Sequence, residues 1–194
     1  MAVLMTASAM AYADPLGKAV SMCNSCHKQY GNTNGSSDFP KLAGQNAAYL
    51  AAQLHAFKQK VRLNPTNKNN MNSVARSLDD ALIEEIAEYY NNRPSTSNYA
   101  ADPSLVQAGR EVYQNGIPSK GVLACAVCHG ADGKGAGVFP VLATQNAKYI
   151  ARQLKSFKEG ELRKDATTMP ALMAAWDLEE ADAVAAYIQS MGNE

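Results

Sequence analysis

The chain is written twice, and that duplication limits what it can fold into more than any other feature. "FPKLAGQNAAYLAAQLHAFK", residues 39–58, lies without a gap over "FPVLATQNAKYIARQLKSFK", residues 139–158. Residues 71–89 lie over 169–187 in the same way, and "CNSCH", Cys23 to His27, returns as "CAVCH", Cys125 to His129. Between the halves runs "NNRPSTSNYAADPS", residues 91–104, where polar residues and two prolines replace any periodic apolar pattern. The expected organisation is therefore a leader over 1–13, a domain over 14–92, a linker over 93–103 and a second domain over 104–194. Each half has about 90 residues, a size at which an apolar core alone is marginal unless something large and apolar is added to it.

Helical spacing dominates both halves. Leu50, Leu54 and Phe57 recur on one face after a cap at Asn46, and Ile150, Leu154 and Phe157 do so after Asn146. Leu82, Ile83, Ile86 and Tyr90 mark a closing helix entered through Asp79 or Asp80, and Ala181, Val184, Ala185 and Ile188 mark its counterpart. No stretch alternates well enough to be a strand, so the fold class is all-α. Basic and acidic residues balance at 18 each, which leaves no basic field for nucleic acid.

All four cysteines belong to the two CxxCH units, so none remains for a long-range disulfide. Two thiols three positions apart suit a zinc corner, a redox dithiol, or thioether bonds to the two vinyl groups of a haem. Only the haem needs a histidine at the next position, where the imidazole can bind iron from the proximal side. A zinc ribbon would bring its pairs within roughly 15 to 20 residues, whereas these sit about a hundred apart. The reading is two covalent haem c groups, on Cys23 and Cys26 with His27, and on Cys125 and Cys128 with His129.

The repeat register also proposes the second iron ligands. Of eight methionines only Met71 and Met169 occupy equivalent places, each eighteen residues before its matching tyrosine, Tyr89 or Tyr187. Both are expected in loops poor in helical pattern, where a thioether can face the histidine. Met173 is the rival in the second half, but its counterpart in the first is Ala75. His55 would be the only route to a bis-histidine haem; its counterpart Lys155 places it on the surface.

With the two CxxCH units, the two "FP-x-LA-x-QNA-x-Y" segments, the matched methionines and the closing "IAEYY" and "VAAYI", the chain resembles the dihaem cytochromes c of the c4 class over residues 14 to 192. The resemblance implies two tandem class I cytochrome c domains related by a pseudo-two-fold axis, in each of which a first and a last helix cross beside the haem. Gly17 and Gly109 are the expected crossing points. The second half departs by inserting "QNGIPSKGVL" before its CxxCH, which is expected to change a surface loop.

Met/His ligation leaves no open iron site, and the soft thioether raises the potential, which describes an electron carrier rather than an enzyme. The resemblance implies a quinol-oxidising bc1-type complex as donor and a terminal oxidase, notably of the cbb3 type, as acceptor. The alternative is the dihaem subunit of a catalytic complex such as a flavocytochrome sulfide dehydrogenase. No GxGxxG fingerprint is present, so a flavin would sit on another polypeptide. A dihaem peroxidase would need one iron with an exchangeable ligand, yet both methionines are present. The start, "MAVLMTASAMAYADP", reads as the end of a secretory signal cleaved before Asp14, although the first basic residue is only Lys18. Export to the periplasm follows from that reading, with peripheral membrane association as an accompanying expectation.

Overall fold

The DP dipeptide starts the first helix of each half. Asp14 accepts from Gly17 N at 2.7 Å and Pro15 takes the first helical position of α1, Pro15–His27. Asp102 accepts from Ser104 N at 2.9 Å ahead of Pro103 in α5, Pro103–Asn115. The computed structural model describes residues 14–33, 38–63, 70–96 and 101–192, so the leader over 1–13 lies outside the described residues. The first lobe continues with α2 (Ala47–Lys58), α3 (Asn70–Arg76) and α4 (Asp80–Asn91). The second continues with α6 (Ala126–His129), α7 (Ala147–Glu159), α8 (Thr168–Met173) and α9 (Leu178–Ser190). Among the described residues only isolated bridges occur and no sheet, as the sequence predicts.

Each lobe closes around its own core. Leu50, Leu78, Ile83, Ile86 and Tyr90 form the first, and Tyr113, Ile150, Trp176, Val184 and Ile188 the second. Burying each such aliphatic side chain contributes about 1.5–3 kcal/mol. Asn46 caps α2 by accepting from Tyr49 N at 3.2 Å, and Asp79, not Asp80, caps α4 by accepting from Leu82 N at 2.8 Å. Asn146 precedes α7 but does not cap it: its Nδ2 donates to Thr33 Oγ1 and Phe39 O, both at 2.7 Å, across the lobes.

α5 crosses α9 at Gly109, where a Cβ would stand 2.0 Å from Ala183 O, so only glycine permits the approach. Gly17 has no such role. A Cβ there would meet only the side chain of its own cap, Asp14.

The insertion of the second lobe does more than lengthen a surface loop. It ends α5 at Asn115 and leaves "CAVCH" on the separate turn α6, whereas "CNSCH" is the last part of an unbroken α1. Ile117 and Val122 exchange backbone hydrogen bonds at 2.9 and 3.1 Å, and the buried Val122 enters the core. Lys120 ties the loop to the start of α9 through Asp177 and Glu180, both at 2.6 Å.

The lobes meet through a reciprocal pair of glutamines. Gln45 donates to Val141 O and accepts from Val141 N, both at 2.8 Å. Gln145 accepts from Lys41 N at 2.8 Å and donates to Lys41 O at 3.0 Å. Position 45 matches 145 and position 41 matches 141 in the repeat, so each lobe makes the same contact with the other and the pseudo-two-fold axis runs between them.

Candidate functional site

His27 ends α1 and His129 ends α6, with 5% and 9% of their surface exposed. The Nδ1 of His27 bonds Pro40 O at 2.9 Å, and that of His129 bonds Pro140 O at 3.3 Å. A carbonyl can only accept, so Nδ1 carries the proton and Nε2 keeps its lone pair. That is the tautomer of a metal-ligating histidine held by an outer partner. Burial lowers both imidazole pKa values, with the proline carbonyls opposing in part, and the rings are neutral at pH 7.

The FP dipeptide of each repeat forms this support. Besides the proline carbonyl, the phenylalanine ring meets the imidazole edge to face, at 5.9 Å for His27 and Phe39 and 6.1 Å for His129 and Phe139. The loop behind it is fixed by a glycine: Gly31 O accepts from Leu42 N at 2.8 Å, and Gly133 O from Leu142 N at 2.7 Å. Both glycines have positive φ, 74° and 68°, and a Cβ on Gly31 would lie 2.9 Å from Leu42 Cβ.

Cys23, Cys26, Cys125 and Cys128 are half-buried free thiols. Burial pushes the Cys23 thiol above its ordinary pKa and Cys125 to about 11. A redox dithiol needs a depressed thiol pKa, and a zinc site needs several thiolates or imidazoles together. Among the described residues no three His, Cys, Asp or Glu side chains converge. A thiol pair one residue away from an imidazole with a free Nε2 does fit haem c, whose vinyl groups take the sulfurs and whose iron takes the nitrogen.

The methionines depart from the sequence expectation. Met71 and Met169 are not in loops: each is the second residue of a short helix, α3 and α8, packed against α2 and α7 respectively. Asparagine and threonine runs hid the pattern, because a helix of six or seven residues is shorter than the periodicity needed to detect it. The equivalence of the two sites survives, since both methionines are partly buried at the same helical position. Met173 is 3% exposed in the core, where it fills space. His55 lies on α2 facing α4, 3.8 Å from Asp80 and 3.8 Å from Glu84, and is partly exposed.

Sequence reasoning assigned no role to Phe39, Pro40, Phe139, Pro140 or the glutamines at 45 and 145. Their identical repeat positions were the available signal.

A cytochrome c family model matches residues 106–192. Cytochrome c4 of Thiocapsa roseopersicina is 38% identical over 180 residues, covering 90% of this chain and 89% of the relative. A protein of Stutzerimonas stutzeri (strain A1501) named thiosulfate dehydrogenase electron acceptor is 30% identical over 185 residues, covering 91% of this chain and 82% of the relative. The crystal structure of reduced recombinant cytochrome c4 from Pseudomonas stutzeri superposes with a TM-score of 0.79 at 32% identity, over 91% of this chain and 96% of that one. Because the likeness runs through both lobes and both CxxCH units, the chain belongs to the cytochrome c4 family and is a dihaem electron-transfer cytochrome.

Proposed function

We propose that this chain is a periplasmic one-electron shuttle between a quinol-oxidising bc1-type complex and a terminal oxidase of the cbb3 type or a relative of it. Its domains span 14–92 and 104–194, joined by the linker 93–103. Cys23, Cys26, Cys125 and Cys128 carry the haems; His27 with Met71 and His129 with Met169 are the axial ligands. The observation that supports this reading is the histidine held twice, at 2.9 and 3.3 Å, in the tautomer that frees Nε2. A matched thioether in each lobe would fill the opposite iron position, so that electrons enter and leave without a substrate reaching the metal. Among the described residues no helix is long and apolar enough to cross a membrane, which is compatible with a carrier that touches the membrane only peripherally.

Intact mass with a haem count, followed by a redox titration, tests the cofactor assignment. Two haems that survive acid-acetone extraction are expected, and a colourless protein refutes it. Stopped-flow oxidation of the reduced protein by a cbb3-type oxidase then tests the acceptor, which a rate no faster than autoxidation would exclude.

A second reading is favoured by the relatives named thiosulfate dehydrogenase electron acceptor, one of them from Thiomonas intermedia at 34% identity. In that role the chain would accept electrons from a sulfur-compound-oxidising enzyme, in the same class as the flavocytochrome subunit considered from the sequence. Copurification with such an enzyme, together with reduction by its substrate, would decide for it.

A further inference from the structure

The residue after each CxxCH histidine leaves its helix with a positive φ. In the second lobe it is Gly130, at φ 80° and ψ 152°; in the first it is Lys28, at φ 64° and ψ 173°. That backbone region is essentially reserved for glycine, because a Cβ there crowds the neighbouring peptide groups. Tyr30, two places on, is left-handed as well, at φ 57° and ψ 18°. The turn itself needs neither side chain. Gly31 N donates to Lys28 O at 3.0 Å, and Gly133 N closes the same turn on Gly130 O at 3.1 Å with Asp132 in the place of Tyr30. Strain that the fold does not require points to a use for the side chains that impose it.

Those side chains form a cationic and aromatic surface. Lys28 is exposed and Tyr30 is 49% exposed. The Arg93 guanidinium carbon lies 5.7 Å from the centre of the Tyr30 ring and 4.1 Å from that of Tyr89. Among the described residues neither Lys28 nor Arg93 has a carboxylate within 4.0 Å. The second lobe differs at all three positions: Gly130 stands for Lys28, Asp132 for Tyr30 and the buried Met191 for Arg93, and Asp132 is paired with Lys134 at 3.3 Å. The turn therefore carries two unpaired cations in one lobe and no net charge in the other.

We propose that the turn from Lys28 to Gly31, with Arg93, is the docking face of the first lobe for a protein that presents a cluster of carboxylates around its own redox centre. The inference deepens the shuttle reading above and rests on it. Opposite charge steers the encounter, and tyrosine and arginine are the side chains enriched where proteins meet. Because the turn begins beside His27, a partner seated on it lies against the first lobe's CxxCH unit.

Lys28→Ala and Lys28→Gly both remove the ammonium, but only glycine removes the Cβ. In the holoprotein both are expected to slow electron transfer with one of the two complexes, the bc1-type donor or the cbb3-type oxidase, by about two- to threefold at an ionic strength of about 0.1 M, and to flatten the salt dependence of that rate. Lys18→Gln, about 15 Å away along α1, changes neither rate. Calorimetry is expected to give Lys28→Gly a higher Tm than Lys28→Ala, since the strain leaves with the Cβ. Wild-type rates in Lys28→Ala with both complexes overturn the proposal, and so does an equal slowing in Lys18→Gln, which would report net charge rather than this turn. A Lys28→Gly protein no more stable than Lys28→Ala overturns it too, by removing the strain. Wild-type protein that sediments with phosphatidylglycerol vesicles when Lys28→Ala does not would assign the turn to a lipid surface and overturn the protein partner. A wild type that exchanges electrons with neither complex refutes the shuttle reading itself and takes the proposal with it.

Discussion

Replacing Gly109 by alanine isolates the contact on which the second lobe is built. An alanine Cβ would stand 2.0 Å from Ala183 O, 2.4 Å from Ala183 C and 2.9 Å from Val184 N, all backbone atoms of α9. Ordinary contact begins at 3.4 Å, so the axes of α5 and α9 must separate by about 1.4 Å, the difference between 3.4 and 2.0 Å. No side chain can swing aside to relieve this. Gly→Ala in a helix interior gains about 1 kcal/mol from propensity, whereas overpacking costs about 1–3 kcal/mol even where side chains can adjust. With backbone against backbone the upper end applies, for a net loss of about 2 kcal/mol. If the lobe of about 90 residues melts alone, that lowers its Tm by roughly 8–16 °C; if the protein melts as one unit, by roughly 4–8 °C. Gly17→Ala is the control. Its Cβ meets only the Asp14 carboxylate, which can turn away, so a lost cap of about 1 kcal/mol is offset by a similar propensity gain. Differential scanning calorimetry of the holoproteins measures both. A Gly109→Ala protein as stable as the wild type would refute the claim that the crossing depends on the missing Cβ.

Met71→Ala and Met169→Ala are each expected to remove one methionine-to-iron band from the near-infrared spectrum of the oxidised protein and to lower that haem's potential. His55→Ala and Met173→Ala leave both bands, the latter while costing about 2–5 kcal/mol in calorimetric stability for its buried side chain. Gln145→Ala leaves Lys41 N and O without partners at the junction, a penalty of about 1–3 kcal/mol for each buried group. Combined with Gln45→Ala, it is expected to split the thermal transition into two as the lobes uncouple. The residues through Asn98 include nine basic and seven acidic side chains, and those from Tyr99 onward nine and eleven, which makes the lobes +2 and −2 before haem charges. Charge reversal in one lobe should therefore change the bimolecular electron-transfer rate with only one partner, and the effect should fade once the Debye length falls to about 8 Å. Salt-independent rates with both partners would leave this charge division without a role.

Much of this protein could be read from a single chain because it contains its own comparison. The duplicated CxxCH selected haem over zinc by the histidine's position, and the repeat register proposed Met169 rather than Met173 as the second ligand even though both lie in one short segment. All-helical structure followed from apolar spacing along what became α2, α4, α7 and α9. What spacing does not record is what an atom faces once the chain is folded. Gly17 and Gly109 looked alike as candidate crossings, yet one touches only its own cap and the other the backbone of α9. Asn46 and Asn146 occupy the same position before a helix, but only Asn46 caps, because Asn146 is drawn to Thr33 and Phe39 of the opposite lobe. The tautomers of His27 and His129 depended on which carbonyls came to rest beside Nδ1, and the pairing of Arg62 with Arg163 became visible only when a hundred residues of chain brought the two together. Local pattern and repeat position are properties of the sequence, whereas hydrogen bonding and charge balance in a low-dielectric junction depend on distance in three dimensions, which only the tertiary structure sets.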